Sequence, residues 1–566
     1  MQAGLVSITP IPNGWTFSSE PNGLLSAYGT MRQVAPGHYE AELYLENNTD
    51  AAIDTKLSYP YILYNMDEND VRVFSPVFGG VLDRISWPAC ATYPGQASFC
   101  LTASATANRC VAAGLYNSAQ LITSIRNCCG GQEGHLRLTL EKVTVPPHSK
   151  LAVPTLFIGI GGNWAEAMEP YRRYLMRAFP PRNERPAWML DEKYTQSRAG
   201  HCLAPYNPPQ LGTGVILFSE LGSPRTYEQI RGEIDAAIKD GEARGYKPLF
   251  YQFGWWENLK HIRGMYQFDS FCGDYTASTE TARRIVKYIH ERGCRTYLYT
   301  NAIAAGDETN VFRQHPELFV HGADGLPVYN DWLPMYMFCP SAPGIRNYWD
   351  KTLQFILLDM DADGIFLDQI CGAVPPPQCY DPSHHHENSY SYGTEIIKLV
   401  DYIRKRAKEL KPDACVMGEL VLDSRSVLLD ESHGYGYSKI LSVPPDDPDI
   451  PRNRVPSEYY VFTRFLSPEI HTQIGGGTDD ICNGAAGSFG DEIWSRHHAA
   501  FEESVIPCKT NTRGAIAYLF GQQILAVRAD CQLENIEVTL PDGRVIQTDA
   551  GKRPKYILIS SDERKQ

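Results

Sequence analysis

The sequence lacks several features that would place it in other classes of protein. It has no excess of basic residues, because its 566 residues carry a formal charge of −14. An acidic chain without a concentrated basic patch argues against a nucleic-acid partner and gives no reason to expect binding to anionic membranes. No apolar run reaches the ~20 residues of a membrane-spanning helix. The opening stretch MQAGLVSITPIPNGW shows neither the basic nor the apolar segment of a signal peptide.

The cysteines lack the spacing of a metal-binding motif. Their number, 15, is odd, they are scattered over the chain, and no CxxC pair occurs. This usage is typical of reduced thiols rather than of a disulfide framework. We therefore expect a cytoplasmic protein. We assign no residue as a metal ligand and expect that no cofactor is required. A homo-oligomer is compatible with the sequence.

Both ends of the chain show strand patterns. Alternating runs such as HYEAELYLEN and LRLTLEKVTV, separated by Gly, Pro and Asn, predict an N-terminal β-sandwich over residues 1–185. That region closes with an amphipathic helix over 163–179 and the proline-rich stretch PPRNERPAW. Residues 508–566 predict a small C-terminal β-domain, in which PDG at 541–543 favours a hairpin.

Between residues 186 and 507, strand-like and helix-like segments alternate. The strand-like segments include GVILFSEL, KPLFYQFGWWEN, CRTYLYTNAI, ADGIFLDQI and ACVMGEL, and helix-like segments of more than ten residues follow most of them. Such alternation predicts βαβ units and a parallel sheet. A length of roughly 300 residues favours a (β/α)8 TIM barrel over a Rossmann sheet. The predicted fold class is therefore α/β: a barrel flanked by the two β-domains.

Two acids terminate predicted buried strands of this barrel. Asp368 follows the apolar run GIFL, and Glu419 follows VMG on a later strand. Active groups of such barrels lie at the carboxyl ends of the strands. Both side chains can therefore project into the same opening at that end of the barrel. Glycoside hydrolases use two such carboxyl groups, one on each side of the bond that is cleaved. We assign the short side chain of Asp368 as nucleophile and the longer one of Glu419 as acid/base. The alternative is that each acid caps a helix or pairs with an arginine.

Other polar and aromatic residues near predicted strand ends suit a sugar. Flat rings pack against the C–H faces of sugars, while carboxylates and amides bind the hydroxyls. The candidate substrate-binding residues are Trp255, Trp256, Glu257, Asn301, Asp331, Trp332, His384 and His386. The alternative for each tryptophan is core packing. The three adjacent histidines of DPSHHHENSY have neither HExxH nor zinc-finger spacing, which leaves a substrate loop, a plain surface loop and a metal site as alternatives.

The segments DGIFLDQI, CYDPSHHHE and MGELVLD together resemble an uncharacterised bacterial family of (β/α)8-barrel proteins. That family is similar to the retaining α-galactosidase and endo-α-N-acetylgalactosaminidase superfamily, and the resemblance is best over residues 190–500. It implies Asp368 as nucleophile, Glu419 as acid/base, and Trp255 and Trp256 near the sugar. Phe366 stands where the α-galactosidase KxD motif has lysine, so the resemblance implies α-linkage and retention without the identity of the sugar.

The predicted function is a retaining glycoside hydrolase that acts by double displacement. The substrate would be an α-linked, galactoside-like or N-acetylgalactosaminide-like oligosaccharide or glycoside, cleaved from one end. Three alternatives stay open: a non-catalytic carbohydrate-binding or scaffold protein on the same fold, a metal-dependent barrel hydrolase that uses the histidines from 384 to 386, and a transglycosylase, which differs only in the acceptor.

Overall fold

The chain forms two compact units, each built from several segments. The first contains Met1–Pro180, Gly436–Ile470 and Cys482–Gln566, and the second contains Pro181–Tyr435 and His471–Ile481. The computed structural model describes residues 6–19, 24–65, 71–77, 79–83, 89–106, 109–130, 133–180, 185–190, 201–203, 226–244, 247–252, 277–307, 309–330, 335–372, 375–434, 462–463, 465–467, 470, 472–474, 505–512, 515–529, 532–551 and 555–559.

The N-terminal part of the first unit consists of two antiparallel sheets. One has the order β1-β2-β3-β4-β14-β10-β9-β6-β7, with β13 also paired to β4, and the other has the order β5-β12-β11-β8. The amide of Asn127 in the second sheet donates to the Ala103 carbonyl in the first, so the two sheets contact each other. The strands are β1 (Val6–Ile11), β2 (Gly14–Ser19), β3 (Leu25–Ala35), β4 (His38–Asn47), β5 (Ile53–Asn65), β6 (Arg72–Ser75), β7 (Val81–Asp83), β8 (Ala89–Tyr93), β9 (Leu101–Ala105), β10 (Cys110–Leu115), β11 (Thr123–Gly130), β12 (Glu133–Val145), β13 (Lys150–Ala152) and β14 (Leu156–Gly161).

The predicted helix follows these strands as α1 (Trp164–Ala178). It begins at a reciprocal cap, because the Asn163 side chain accepts from the Glu166 amide while the Glu166 carboxylate accepts from the Gly162 amide. Trp164 at its start packs on Phe462, and Phe462 also packs on Phe74 of β6. A segment from late in the chain therefore completes the core of the first unit.

The second unit contains seven parallel strands in chain order, β15-β16-β17-β21-β22-β23-β24. The strands of this unit are β15 (His201–Leu203), β16 (Leu249–Gln252), β17 (Arg295–Asn301), β18 (Ala304–Ala305), β19 (Tyr329–Asn330), β20 (Met335–Met337), β21 (Gly364–Asp368), β22 (Cys415–Glu419), β23 (Glu431–Gly434) and β24 (Thr472–Ile474), where β18, β20 and β19 form a small antiparallel sheet. The predicted strand GVILFSEL lies outside the described residues.

Helices connect the parallel strands of this unit. They are α2 (Tyr227–Arg244), α3 (Ala277–Glu291), α4 (Asn310–Gln314), α5 (Ile345–Gln354), which continues as a π-helical turn over Phe355–Asp359, and α6 (Tyr392–Leu410); short 3-10 turns lie at Ala187–Leu190, Pro316–Leu318 and Ser426–Leu428. In α2, Ile230, Ile234 and Ile238 recur every four residues and bury one face against Phe250 of β16. Among the described helices, none combines the length and apolarity that a membrane span requires.

The last strands form one six-stranded antiparallel sheet of the order β29-β28-β25-β26-β27-β30. They are β25 (Val505–Thr510), β26 (Ala515–Phe520), β27 (Ile524–Ala529), β28 (Leu533–Thr539), β29 (Val545–Ala550) and β30 (Lys555–Leu558). The predicted PDG hairpin joins β28 to β29, with Gly543 at a φ of +89°. By compactness this sheet belongs to the first unit, and the predicted three-part division at 185 and 507 stays a prediction.

Candidate active site

The candidate site begins with two neighbouring strands that end on acids. β21 and β22 pair in parallel, with Leu367 opposite Gly418, so their next residues, Asp368 and Glu419, lie side by side at the carboxyl edge. All five residues of each strand are buried, as expected of a parallel sheet covered on both faces. Gln369 and Leu420, which follow the two acids, have φ values of +60° and +66°, so both strands stop at the same level.

Asp368 is held by two side chains of β17. The Tyr299 hydroxyl donates to Asp368 Oδ2 over 2.6 Å, and the Asn301 amide donates to the same oxygen over 3.0 Å. Asn301 is itself fixed, because its Oδ1 accepts from the backbone amides of Ile303 and Ala304. The predicted hydroxyl-binding residue Asn301 thus orients the candidate nucleophile.

Glu419 is held by the backbone beside Asp368. The amide of Gln369 donates to Glu419 Oε2 over 2.8 Å. Gln369 also accepts the Asn301 amide through its side chain over 3.3 Å. Only 7 % of Asp368 and 8 % of Glu419 is exposed, so a few fixed donors replace the water that would otherwise solvate the two acids.

Burial and proximity make one of these carboxyl groups retain a proton. Burial raises the pKa of Asp368 well above its ordinary value, and the charge of Glu419 and a hydrogen bond with it raise this pKa further. The hydrogen bonds from Tyr299 and Asn301 act in the opposite direction. A buried pair of this kind holds a single negative charge more readily than two, so it can offer one carboxylate and one carboxylic acid together.

Aromatic rings lie on the face of the sheet that carries Asp368. Phe366 is two residues before Asp368 on β21 and therefore on the same face. Its ring lies 5.0 Å from that of Tyr251 and 6.0 Å from that of Tyr299, and Tyr251 stacks on Tyr297 at 5.1 Å. Phe366, in place of the lysine of the KxD motif, thus belongs to an aromatic cluster that excludes water beneath the carboxyl pair.

The other predicted substrate residues divide into two sets. Five of them lie outside the described residues: Trp255, Trp256, Glu257, Asp331 and Trp332. The two histidines precede α6, and they contact groups other than the carboxyl pair. His384 is buried and contacts Cys379 and the Glu317 carbonyl, while the His386 ring packs edge-on against His384. Their predicted role in substrate binding stays a prediction.

Sequence reasoning missed Tyr299 and Gln369. The signal for Tyr299 was its spacing, because it lies two residues before Asn301 and on the same face of β17. Gln369 gave no signal of this kind, since its contribution to Glu419 comes from a backbone amide. Two sets of side chains among the described residues bring metal-binding atoms together: Cys339, Cys379 and His384, and His321, Asp381 and His384.

A family model described as "Domain of unknown function (DUF6259)" matches residues 150–441, more than half of the chain. The chain belongs to this family. The matched DUF6259 region contains both acids of the candidate site and both strands that carry them.

This DUF6259 member is also similar to known enzymes. It is 27 % identical over 194 residues to the "A type blood alpha-D-galactosamine galactosaminidase" of Flavonifractor plautii, a match that covers 31 % of this chain and 16 % of that protein. The chain therefore aligns with about a sixth of the length of this curated relative.

The solved structures that share the fold of the chain include two glycosidases. The α-N-acetylgalactosaminidase NagBb of Bifidobacterium bifidum has a TM-score of 0.63 at 12 % identity, over 98 % of this chain and 91 % of that one. A GH36 α-galactosidase of Geobacillus stearothermophilus has a TM-score of 0.50 at 8 % identity, over 98 % of this chain and 84 % of that one. The predicted resemblance to the α-galactosidase and α-N-acetylgalactosaminidase enzymes is confirmed.

Proposed function

We propose that this protein is a retaining glycoside hydrolase that cleaves α-linked galactosides or N-acetylgalactosaminides. The observation that carries the proposal is the buried Asp368–Glu419 pair at the ends of two adjacent parallel strands. Glycoside hydrolysis needs one carboxylate and one carboxylic acid in the same pocket, and the raised pKa of Asp368 beside Glu419 supplies one shared proton. The names of the relatives support the α-linked galactose-type sugar.

In the proposed double displacement, Asp368 attacks the anomeric carbon and Glu419 protonates the leaving oxygen. Tyr299 and Asn301 both donate to Oδ2 of Asp368, which leaves Oδ1 to form the glycosyl bond. The positive charge that develops on the sugar favours the carboxylate form of Asp368, so the shared proton passes to Glu419. Water then attacks the glycosyl-enzyme, with Glu419 as base, and the second inversion restores the α configuration.

We further propose that the parallel sheet closes as a (β/α)8 barrel. The seven described strands follow one another in chain order without the reversal of a doubly wound sheet. In such a barrel the carboxyl edge forms a pocket walled by loops. A closed pocket of this kind suits exo-cleavage, in which the enzyme removes one terminal sugar.

The proposal is tested with nitrophenyl glycosides of galactose and N-acetylgalactosamine in both anomeric forms. The wild type should cleave an α-glycoside, and proton NMR should show the α anomer as the first product. Asp368→Asn should lower kcat by at least about 10³-fold, because the nucleophile is lost. Asp368→Ala with added azide should give a β-glycosyl azide, since azide would replace the carboxylate on the same face.

Three outcomes would overturn the proposal. Full activity of Asp368→Asn would exclude Asp368 as the nucleophile. Binding of the sugars without hydrolysis would indicate a carbohydrate-binding protein. Inhibition of the wild type by a chelator, together with undiminished activity of Asp368→Asn, would indicate a metal-dependent hydrolase. Asp363→Asn, which alters the other end of β21, serves as the control for general damage to the strand.

A further inference from the structure

A second cluster of reactive side chains lies in the loops beyond the parallel strands. Cys339 is two residues past the end of β20, whereas Cys379 and His384 lie between β21 and α6. All three residues are at most 3 % exposed. Their potential ligand atoms, two sulfurs and one ring nitrogen, lie within 4.8 Å of one another. Forty positions separate the cysteines in the sequence, so only folding brings them together.

The distances suit a soft metal ion. Cys379 Sγ lies 3.3 Å from His384 Nδ1. A tetrahedral zinc ion, with Zn–S near 2.3 Å and Zn–N near 2.05 Å, would hold these two atoms about 3.6 Å apart. The pair would therefore open by only a few tenths of an ångström. Thiolate and imidazole are also the ligands that zinc prefers in proteins.

The His384 ring is oriented as in a metal ligand. Its Nε2 lies 2.9 Å from the Glu317 carbonyl oxygen, which can only accept, so Nε2 carries the proton. Nδ1 then presents its lone pair towards the cysteines. A metal-binding histidine typically donates its second N–H to such a carbonyl or carboxylate. Asp381, whose carboxylate lies 3.8 Å from Nε2 and 2.8 Å from His321, adds negative charge on the same side.

A metal ion would bind the two sulfurs as thiolates, because the thiolate is the form of cysteine that binds a metal. A thiol pair alone would suit a disulfide equally well, but a disulfide gives no role to the Nδ1 lone pair directed at the sulfurs.

We propose that Cys339, Cys379 and His384 bind one zinc ion or a similar soft divalent cation. The fourth coordination position falls to water or another small ligand. The ion would crosslink two segments of the chain. Cys339 lies in the segment between β17 and α5, and Cys379 and His384 lie in the loop between β21 and α6, which begins just after Asp368. The crosslink would hold one side of the candidate active-site rim in place. This role is structural and does not depend on the proposed glycosidase activity.

The test measures metal in the full-length protein. Protein purified from zinc-supplemented culture, or reduced anaerobically and titrated with Zn²⁺, should contain about one equivalent of zinc by mass spectrometry. Replacement with Co²⁺ should give the charge-transfer absorption of thiolate–cobalt bonds and the intense d–d bands of a tetrahedral site. Cys339→Ser and Cys379→Ser should each lower the zinc content at least about tenfold.

Cys110→Ser is the matched control, because Cys110 is an equally buried cysteine in the first unit; it should retain the full equivalent. Zinc content below a tenth of an equivalent in the reduced, titrated wild type would overturn the proposal. So would a disulfide between Cys339 and Cys379 that persists without any metal uptake after reduction, or full zinc content in Cys379→Ser. If the variants fail to fold, the cobalt spectrum of the wild type decides.

Discussion

At the scale of single residues, the two buried aspartates at the ends of β21 have opposite pKa shifts. Asp363 precedes the strand and accepts from Arg295 over 2.6 Å, from His290 over 2.8 Å and from the Thr296 amide over 2.9 Å. Burial would raise the pKa of Asp363, but the bonds and charges of these groups hold it below its ordinary value. Asp368, at the other end, has a neighbouring acid instead of a cation, and its pKa is raised.

These opposite shifts predict opposite effects of the same substitution. Asp368 keeps in the folded state a proton that the unfolded chain releases near pH 3.9, so its contribution to stability falls as pH rises from about 4. Asparagine does not titrate, so Asp368→Asn removes this decrease of stability with rising pH. The free energy of unfolding of Asp368→Asn should therefore exceed that of the wild type by an amount that grows with pH, up to about 1.4 kcal/mol per pH unit.

Asp363→Asn provides the comparison. The lowered pKa of Asp363 contributes stability that is present above about pH 4 and is lost as pH falls through the folded-state pKa. The variant should be less stable than the wild type by about 2–3 kcal/mol at neutral pH, with a deficit that shrinks in acid, and should retain kcat. Urea unfolding between about pH 4 and pH 8 measures both effects. If the difference in free energy of unfolding from the wild type changed with pH in the same way for both variants, the opposite pKa shifts assigned to Asp363 and Asp368 would be wrong.

Tyr299 should set the pH at which the candidate nucleophile becomes charged. Its hydroxyl lowers the pKa of Asp368, so Tyr299→Phe should raise that pKa. The acid limb of the kcat/KM profile should move to higher pH, and kcat should fall about 10- to 100-fold, since one charge-assisted hydrogen bond contributes about 1.5–3 kcal/mol. Tyr297→Phe, in the same aromatic cluster, should leave the limb in place. An unmoved limb in Tyr299→Phe would refute this role.

The residues that the sequence could identify are those marked by a one-dimensional pattern. Asp368 and Glu419 each end an apolar run, so the run predicts a buried strand and the acid predicts where that strand ends. No comparable pattern in the sequence predicts the cysteine cluster. Cys339 and Cys379 come from different loops without CxxC spacing, so the sequence alone assigns neither as a metal ligand.

At the scale of elements, the position of Glu419 depends on the glycine before it. A Cβ at Gly418 would lie 2.4 Å from Leu429 Cδ1 and 2.7 Å from Ile370 Cγ2. Because Ile370 follows Gln369, whose amide holds Glu419, the clash would displace the acid/base and its donor together. Gly418→Ala should lower kcat about tenfold or more and cost about 1–3 kcal/mol of stability.

Gly232 in α2 is the matched control for this substitution. A Cβ there meets no atom within 4 Å, so Gly232→Ala should stabilise the protein by about 0.5–1 kcal/mol through helix propensity and leave kcat unchanged. Thermal unfolding and initial rates of the two alanine variants test the pair. A harmless Gly418→Ala would show that β22 has more room at its carboxyl end than the contacts indicate.

Long periodic elements were predictable because one apolar face determines them. α6, Tyr392–Leu410, is one of the helix-like segments expected between the strand-like ones, and β21 and β22 end on the expected acids. The short antiparallel strands β18 to β20 were not predicted, since strands of two or three residues have no measurable period. The π-helical turn after α5 likewise leaves no signal, because it changes hydrogen bonding without changing the spacing of apolar residues.

At the scale of the whole molecule, the first unit is completed by a distant segment. Phe462, Leu466 and Ile470 are fully buried, and Phe462 packs on Phe74 and Trp164. The segment lies inside the predicted barrel range of 186–507, because hydrophobicity shows that a residue is buried but not which core receives it. The domain boundaries at 185 and 507 remain predictions, since the pattern of hydrophobic residues does not assign such a segment to one unit or the other.

This arrangement predicts that fragments cut at the expected domain boundaries will not fold alone. A fragment of residues 1–185 lacks Phe462, and a fragment of residues 186–507 carries Phe462, Leu466 and Ile470 without the core that buries them. Each should show non-cooperative thermal unfolding and bind a hydrophobic dye, unlike the full chain. Cooperative unfolding of the 186–507 fragment would show that the late segment is dispensable.

The alternation of the chain between the two units constrains how this architecture can be recombined. Five segments alternate between them, so no single crossover between two homologous genes can exchange one unit intact. A functional chimera would have to inherit both parts of the parallel-sheet unit from the same parent. Gene shuffling should therefore enrich hybrids in which residues near 200 and near 473 descend together, even though nearly half the chain's length separates them.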